Sequence, residues 1–243
     1  MEKITLTQIL PTLKKLIKTP SVSGNDHEIL RYVKEVLAKH GFQTEEVPVP
    51  NCGPTLLARC SFNHEGSNLL FYGHLDTVKP VEGWKYSPFK PTIIGGLLYG
   101  LGSSDMKGGV SALITAAERL VKMKLSGSLT IALTSDEELY SRGCDSLIKL
   151  GKLKKIDVAI SAEPTGLNRM EIGRTGRVVY DLRFQGVSTH ASIHKPKANA
   201  LVDASKLVLS LDRFPVRKGN VTVLAIEGGT EFLSVPDSCR LVL

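Results

Sequence analysis

Three apolar runs of strand length, Asn68 to Tyr72, Ser128 to Thr134 and Val158 to Ala162, are separated by stretches with helical spacing, Lys107 to Met123 and Ser146 to Leu150. That alternation constrains the fold more than any other feature. Uninterrupted apolar runs mark strands covered on both faces, and strands alternating with helices build a largely parallel sheet with helices on either side. Two further helices are expected ahead of it. One carries Leu6, Ile9, Leu10, Leu13, Leu16 and Ile17, with Pro11 near its first turn or bending it. The other has Ser23 to Asp26 as capping side chains, Leu30, Val33, Val36 and Leu37 as its buried face, and Gly41 as its stop. Strands over Thr44 to Val49 and Thr55 to Ser61 complete the expected α/β domain, residues 1–175.

From Met170 the texture changes. Met170 to Ile172, a turn at Gly173-Arg174-Thr175-Gly176, and Val178 to Phe184 read as a hairpin. A helix Asn199 to Leu211, a strand Val221 to Ile226 and a closing strand from Ser238 follow, giving β-α-β-β. A smaller α+β domain over residues 176–243 is expected.

In open α/β sheets ligands gather beyond the carboxyl ends of the strands. Here those positions carry His74 and Asp76, Glu137 and Glu138, and Glu163, with Asp105 between a glycine-containing turn and a helix start. Each piece alone is weak, since a lone His-x-Asp is more often a structural pair and a DEE run a solvated loop. Their shared position reads as a two-metal hydrolytic site. Two metals ~3.5–4 Å apart supply both a nucleophilic water and oxyanion stabilisation. Asp105 suits bridging, and His74 supplies the imidazole that zinc favours. Asp76 points to the same side of an extended chain and can fix one tautomer of His74. Glu137 and Glu138 divide metal binding and proton transfer between them, and Glu163, held before Pro164, is a further ligand.

The other signals are negative. The four cysteines, Cys52, Cys60, Cys144 and Cys239, have no metal or disulfide spacing. The net charge of +7 is spread along the chain without a nucleic-acid motif, so nucleic acid is not an expected partner. No apolar run reaches the ~20 residues of a membrane span, and Met1 to Leu10 lacks the layout of a secretory signal; no membrane association is expected, and the expected location is cytoplasmic.

TPSVSG at Thr19 to Gly24, GHLDTV at Gly73 to Val78, GWKYSPF with Trp84, LYGLGSSDMKGG, SDEELYSRG, SAEPTGL, and GVSTHAS followed by NALVDASKLVLS stand in one order. The set resembles the zinc-dependent amidohydrolases and exopeptidases that include acetylornithine deacetylase, succinyl-diaminopimelate desuccinylase, aminoacylases and bacterial glutamate carboxypeptidase. The resemblance implies a zinc-exopeptidase-like catalytic domain with a lid or dimerisation domain. It implies two zinc ions per site, with cobalt or manganese as substitutes, and a homodimer acting on an N-acyl amino acid or small peptide. His74 and Glu163 would bind one ion, Glu138 the other, and Asp105 both. Glu137 would be the general base and Asp76 would orient His74. His190 would reach the partner subunit's site to stabilise the tetrahedral intermediate, and Asn199 would meet substrate. Departures are Leu101 and Ser103 near Asp105, Leu139-Tyr140 after the glutamates, and a final histidine ligand expected beyond Leu243. The alternative expectation is an inactive piece of such an enzyme, binding at most one metal and serving as a dimerising module.

Overall fold

A computed structural model describes residues 3–62, 65–173, 176–193, 198–211 and 219–243. The chain separates into two compact units, Met1–Arg169 and Met170–Leu243.

The first unit is built on a five-stranded sheet of β1 (Gln43–Val47), β2 (Thr55–Ser61), β3 (Asn68–His74), β6 (Ser128–Thr134) and β7 (Val158–Ser161), in the order β1-β2-β6-β3-β7. β6, β3 and β7 run parallel, while β2 pairs antiparallel with β6 and β1 antiparallel with β2. The parallel register pairs His74 with Thr134 and Tyr72 with Ser161, so the carboxyl ends of three strands meet on one edge.

The helices α1 (Leu6–Lys18), α2 (His27–Lys39) and α3 (Lys107–Leu120) supply the larger core. Leu16, Ile29, Val33, Val110 and Ile114 pack there with Leu56, Phe71 and Ile131. The alternate residues Leu57, Leu70 and Ala132 face the opposite side, where Leu147 of α4 (Arg142–Lys149) covers them. Helices on both faces follow directly from strands apolar on both faces.

Local chemistry explains most boundaries. α2 ends in a Schellman arrangement, with the N–H of Phe42 on the Leu37 carbonyl, the N–H of Gly41 on Ala38, and Gly41 at φ 86°. Pro11 falls inside α1, just past its first turn, so the Thr7 carbonyl loses its helical donor. α4 starts four residues ahead of the expected Ser146, at Arg142-Gly143. Glycine is a poor helix former, but a Cβ at Gly143 would stand 2.5 Å from the Ser135 carbonyl oxygen. β1 stops at Val47 because Pro48 has no N–H to donate. A hairpin of β4 (Thr92–Ile94) and β5 (Leu97–Tyr99) was not expected; Gly95 and Gly96, at φ 58° and 80°, close it as a two-residue turn.

α3 approaches the end of β7 so closely that a Cβ on Gly109 would sit 2.0 Å from the Ala162 carbonyl oxygen. Alanine normally gains about 1 kcal/mol over glycine inside a helix. Here Gly109→Ala is expected to destabilise the protein by about 3 kcal/mol, because backbone must move to admit the methyl group. A urea midpoint equal to the parent's would refute the close approach.

The second unit holds an antiparallel sheet in the order β8-β10-β9, from β8 (Asp181–Gln185), β9 (Ala225–Gly228) and β10 (Ser238–Val242), with α5 (Ala200–Ser210) against it. Ala200, Ala204 and Cys239 form its small core with Phe184. The β-α-β-β order matches the expectation, but two segments do not. No strand forms over Met170 to Ile172, where Met170 and Ile172 are 87% and 99% exposed, so the expected hairpin is absent there. Its Arg174-Thr175 turn lies outside the described residues, as does His194. β9 begins at Ala225 rather than Val221, because its register sets Ala225 opposite Val242.

Candidate metal centre

His74 closes β3 and is 1% exposed. Its Nδ1 lies 3.0 Å from the main-chain oxygen of Asp76 and 3.5 Å from Asp76 Oδ1. An N–H at Nδ1 therefore donates toward Asp76, and Nε2 faces the open end of the sheet with its lone pair. The carbonyl, rather than the carboxylate, is the nearer partner.

Around Nε2 stand Asp105 Oδ1 at 3.3 Å, Glu137 Oε2 at 3.9 Å and Glu163 Oε1 at 3.9 Å. His74, Asp105 and Glu138 bring one donor atom each within 4.8 Å of one another. The sheet edge thus collects five of the six residues around His74 itself. Glu163 follows β7, Glu137 and Glu138 follow β6, and Asp105 precedes α3, joined to Met106 by a cis peptide bond.

The Asp76 carboxylate ties the site together. Ser23 Oγ donates to its Oδ2 at 2.5 Å, and the backbone N–H groups of Glu137 and Glu138 donate to Oδ1 and Oδ2, each at 3.2 Å. Burial works against its ionisation, but the hydrogen bonds from His74 and Ser23 outweigh this and hold the carboxyl below the usual range. Ser23, expected as a helix cap, is used on Asp76 instead, and Asp26 caps α2 without a side-chain hydrogen bond.

Negative charge accumulates here. Burial opposes protonation of His74, yet the hydrogen bond to Asp76 and the charges of Asp76, Glu163 and Glu137 push its pKa to about 9. Burial, then the charges of Asp105, Glu137 and Asp76, raise Glu138. A cation placed among these groups relieves both shifts, and an imidazole with carboxylates is a donor set that zinc accepts. The residues present fit a divalent metal.

Two supporting groups were not evident in the sequence. Lys107, 1% exposed, donates from Nζ to the carbonyls of Leu16 and Thr19 at 2.9 and 3.0 Å, linking the Asp105 turn to the end of α1. Burial lowers its pKa to about 8. Asp26, 1% exposed, has an Oδ1 without a hydrogen-bond partner among the described residues, packed against Gly53. Burial first, with Asp76 and Asp136 adding charge, raises its pKa to about 6. The folded state then binds a proton between the usual carboxylate range and about pH 6 that the unfolded state releases. Stability from this group is present in acid and is lost as pH rises through that window. Asp26→Asn is accordingly expected to gain about 1–2 kcal/mol at pH 7 and little at pH 4. Urea denaturation at the two pH values tests it, and equal effects at both would refute the shift.

His190 and Asn199 belong to the second unit. His190 Nδ1 lies 2.7 Å from Ser192 Oγ on an exposed surface. Asn199 caps α5, its Oδ1 accepting the N–H groups of Leu201 and Val202 at 3.1 and 3.2 Å.

A family model described as peptidase family M20/M25/M40 matches residues 70–234. A succinyl-diaminopimelate desuccinylase of Wolbachia pipientis wMel is 33% identical over 190 residues, covering 74% of this chain and 47% of its own. One from Wolbachia sp. subsp. Brugia malayi is 30% identical over 240 residues, covering 94% and 57%. The chain spans about half the length of these curated relatives. Among solved structures, the dipeptidase Dug1p of Saccharomyces cerevisiae aligns with a TM-score of 0.73 at 19% identity, over 97% of this chain and 68% of that one. An M20 family metallo-carboxypeptidase from Sulfolobus solfataricus aligns at 0.70 and 20% identity, over 97% and 70%. These two likenesses concern the fold.

Proposed function

This chain belongs to peptidase family M20/M25/M40, and from that premise we propose that it is a metal-dependent hydrolase of the amide bond in an N-acyl amino acid or small peptide. The observation that carries the proposal is the convergence of His74, Asp105 and Glu138, within 4.8 Å, on the edge where three parallel strands end. The desuccinylase relatives favour N-succinyl amino acids as the first substrates to try.

In this reading His74 and Glu163 would hold one zinc, Glu138 would hold the other, and Asp105 would serve both. When bound, the ions supply Lewis acidity and lower the pKa of water toward neutrality. Asp76 keeps Nε2 of His74 free by accepting the Nδ1–H hydrogen bond at its main-chain oxygen, and its carboxylate holds the backbone of both glutamates. Glu137 takes a proton from the attacking water and returns it to the leaving nitrogen. His190 stabilises the tetrahedral intermediate in the partner of a homodimer formed through residues 176–243, and the Asn199 amide meets substrate. Residence in the cytoplasm belongs to the same proposal; among the described residues no helix is long and apolar enough to cross a membrane.

Elemental analysis after zinc loading, with hydrolysis of N-succinyl and N-acetyl amino acids, tests it. The expected result is two zinc ions per chain with turnover. One ion or none, without turnover, supports the other reading, a dimerising module.

A further inference from the structure

Glu137 to Tyr140 is carried between two non-glycine residues in the left-handed region, Asp136 at φ 64° and Ser141 at φ 55°. L side chains keep that backbone only where their surroundings fix it. The Asp136 carbonyl accepts the N–H groups of Leu139, Tyr140 and Ser141 at 3.4, 3.2 and 2.7 Å, closing the segment around one oxygen. Its fully buried carboxylate meets Arg142, with Nε to Oδ2 at 2.7 Å, Nη2 to Oδ1 at 2.8 Å and the backbone N–H to Oδ2 at 3.3 Å. The third guanidinium nitrogen, Nη1, donates to the Asn51 carbonyl at 3.1 Å, and the group lies 5.2 Å from the centre of the Tyr140 ring.

We propose that Arg142 is a positioning residue, which through Asp136 holds the turn presenting Glu137 and Glu138 to the metal centre. Asp76 grips the same turn by the N–H groups of both glutamates. The two carboxylates hold it from different points, and Arg142 anchors it to the distant Asn51 segment, as Ser135 Oγ does from the other side of Asp136 by donating to the Gly53 carbonyl at 2.6 Å. A lysine cannot reproduce this, because one ammonium lacks the planar fork that pairs two carboxylate oxygens while reaching a third acceptor. The inference rests on the proposed function for the roles of Glu137 and Glu138, but not for the geometry of the turn.

The test compares the parent chain with Arg142→Lys and with the double variant Asp136→Asn/Arg142→Gln. The double variant removes the ion pair without stranding a buried charge. Hydrogen exchange of peptides covering 135–143, the zinc Kd, and kcat and KM for N-succinyl amino acids are measured. In the double variant, exchange is expected to accelerate more than tenfold in that segment and not in 128–134. The zinc Kd should weaken by about tenfold, and kcat should fall by about 10–100-fold with KM within about twofold. Arg142→Lys should fall between. Parental exchange and zinc affinity in the double variant overturn the proposal, as does faster exchange that is uniform along the chain or leaves zinc affinity unchanged. If the parent shows no turnover, the proposed function fails, and exchange and zinc affinity still decide the role of Arg142.

Discussion

Replacing Glu137 with glutamine is expected to lower kcat by about a thousandfold, inside the 10²–10⁴ range for losing a general base, while metal content stays at the parental level. The expectation follows from what holds the residue. Its backbone N–H is fixed on Asp76 Oδ1 at 3.2 Å, a contact the substitution leaves alone. Its Oε2 stands 3.9 Å from His74 Nε2, near the donor set but outside the group of His74, Asp105 and Glu138. Glutamine keeps the shape and removes the proton acceptor, so turnover and metal binding should separate. Kinetics on N-succinyl amino acids with elemental analysis of the same sample provide the check. Activity within tenfold of the parent would assign the base elsewhere.

The second large effect is on metal retention. Asp105→Ala is expected to leave a folded chain that retains neither ion after dialysis and has no measurable turnover. The Asp105 carboxylate is 56% exposed, so its removal leaves no cavity, and buried His74 keeps its Nδ1 contact with Asp76. It is also the donor nearest to His74 Nε2, at 3.3 Å, and the one proposed to serve both ions. The thermal midpoint should move by no more than a few degrees, as for an ordinary surface change. A variant retaining two ions would remove Asp105 from the bridging position.

Glu137 and Asp105 were both legible in the sequence. Both could be singled out because each follows or precedes a regular element whose apolar pattern was plain, and because strand ends on one edge share a destination. The strands β2 and β6 were readable residue by residue, since each has a largely apolar centre, Leu56 to Ala58 and Leu129 to Leu133, between hydroxyl-bearing ends. The supporting contacts were not readable. Ser23 reaches Asp76 across 53 residues, and Arg142 reaches Asn51 across 91; no local spacing signals either. The β4–β5 hairpin was announced by Gly95-Gly96, and only its short, partly exposed strands concealed it. The early start of α4 went unseen because propensity argues against Gly143, and the reason for that glycine is a tertiary contact with Ser135.

Lys107 gives the first helix a part in the site that its own side chains do not announce. Both acceptors, at Leu16 and Thr19, are main-chain carbonyls. Substituting either residue leaves those oxygens in place, so the amino acids there can drift while the path of the backbone stays required. The turn that carries Asp105 is therefore moored to a shape rather than to a sequence, and mutational scanning of α1, one side chain at a time, would pass over the mooring.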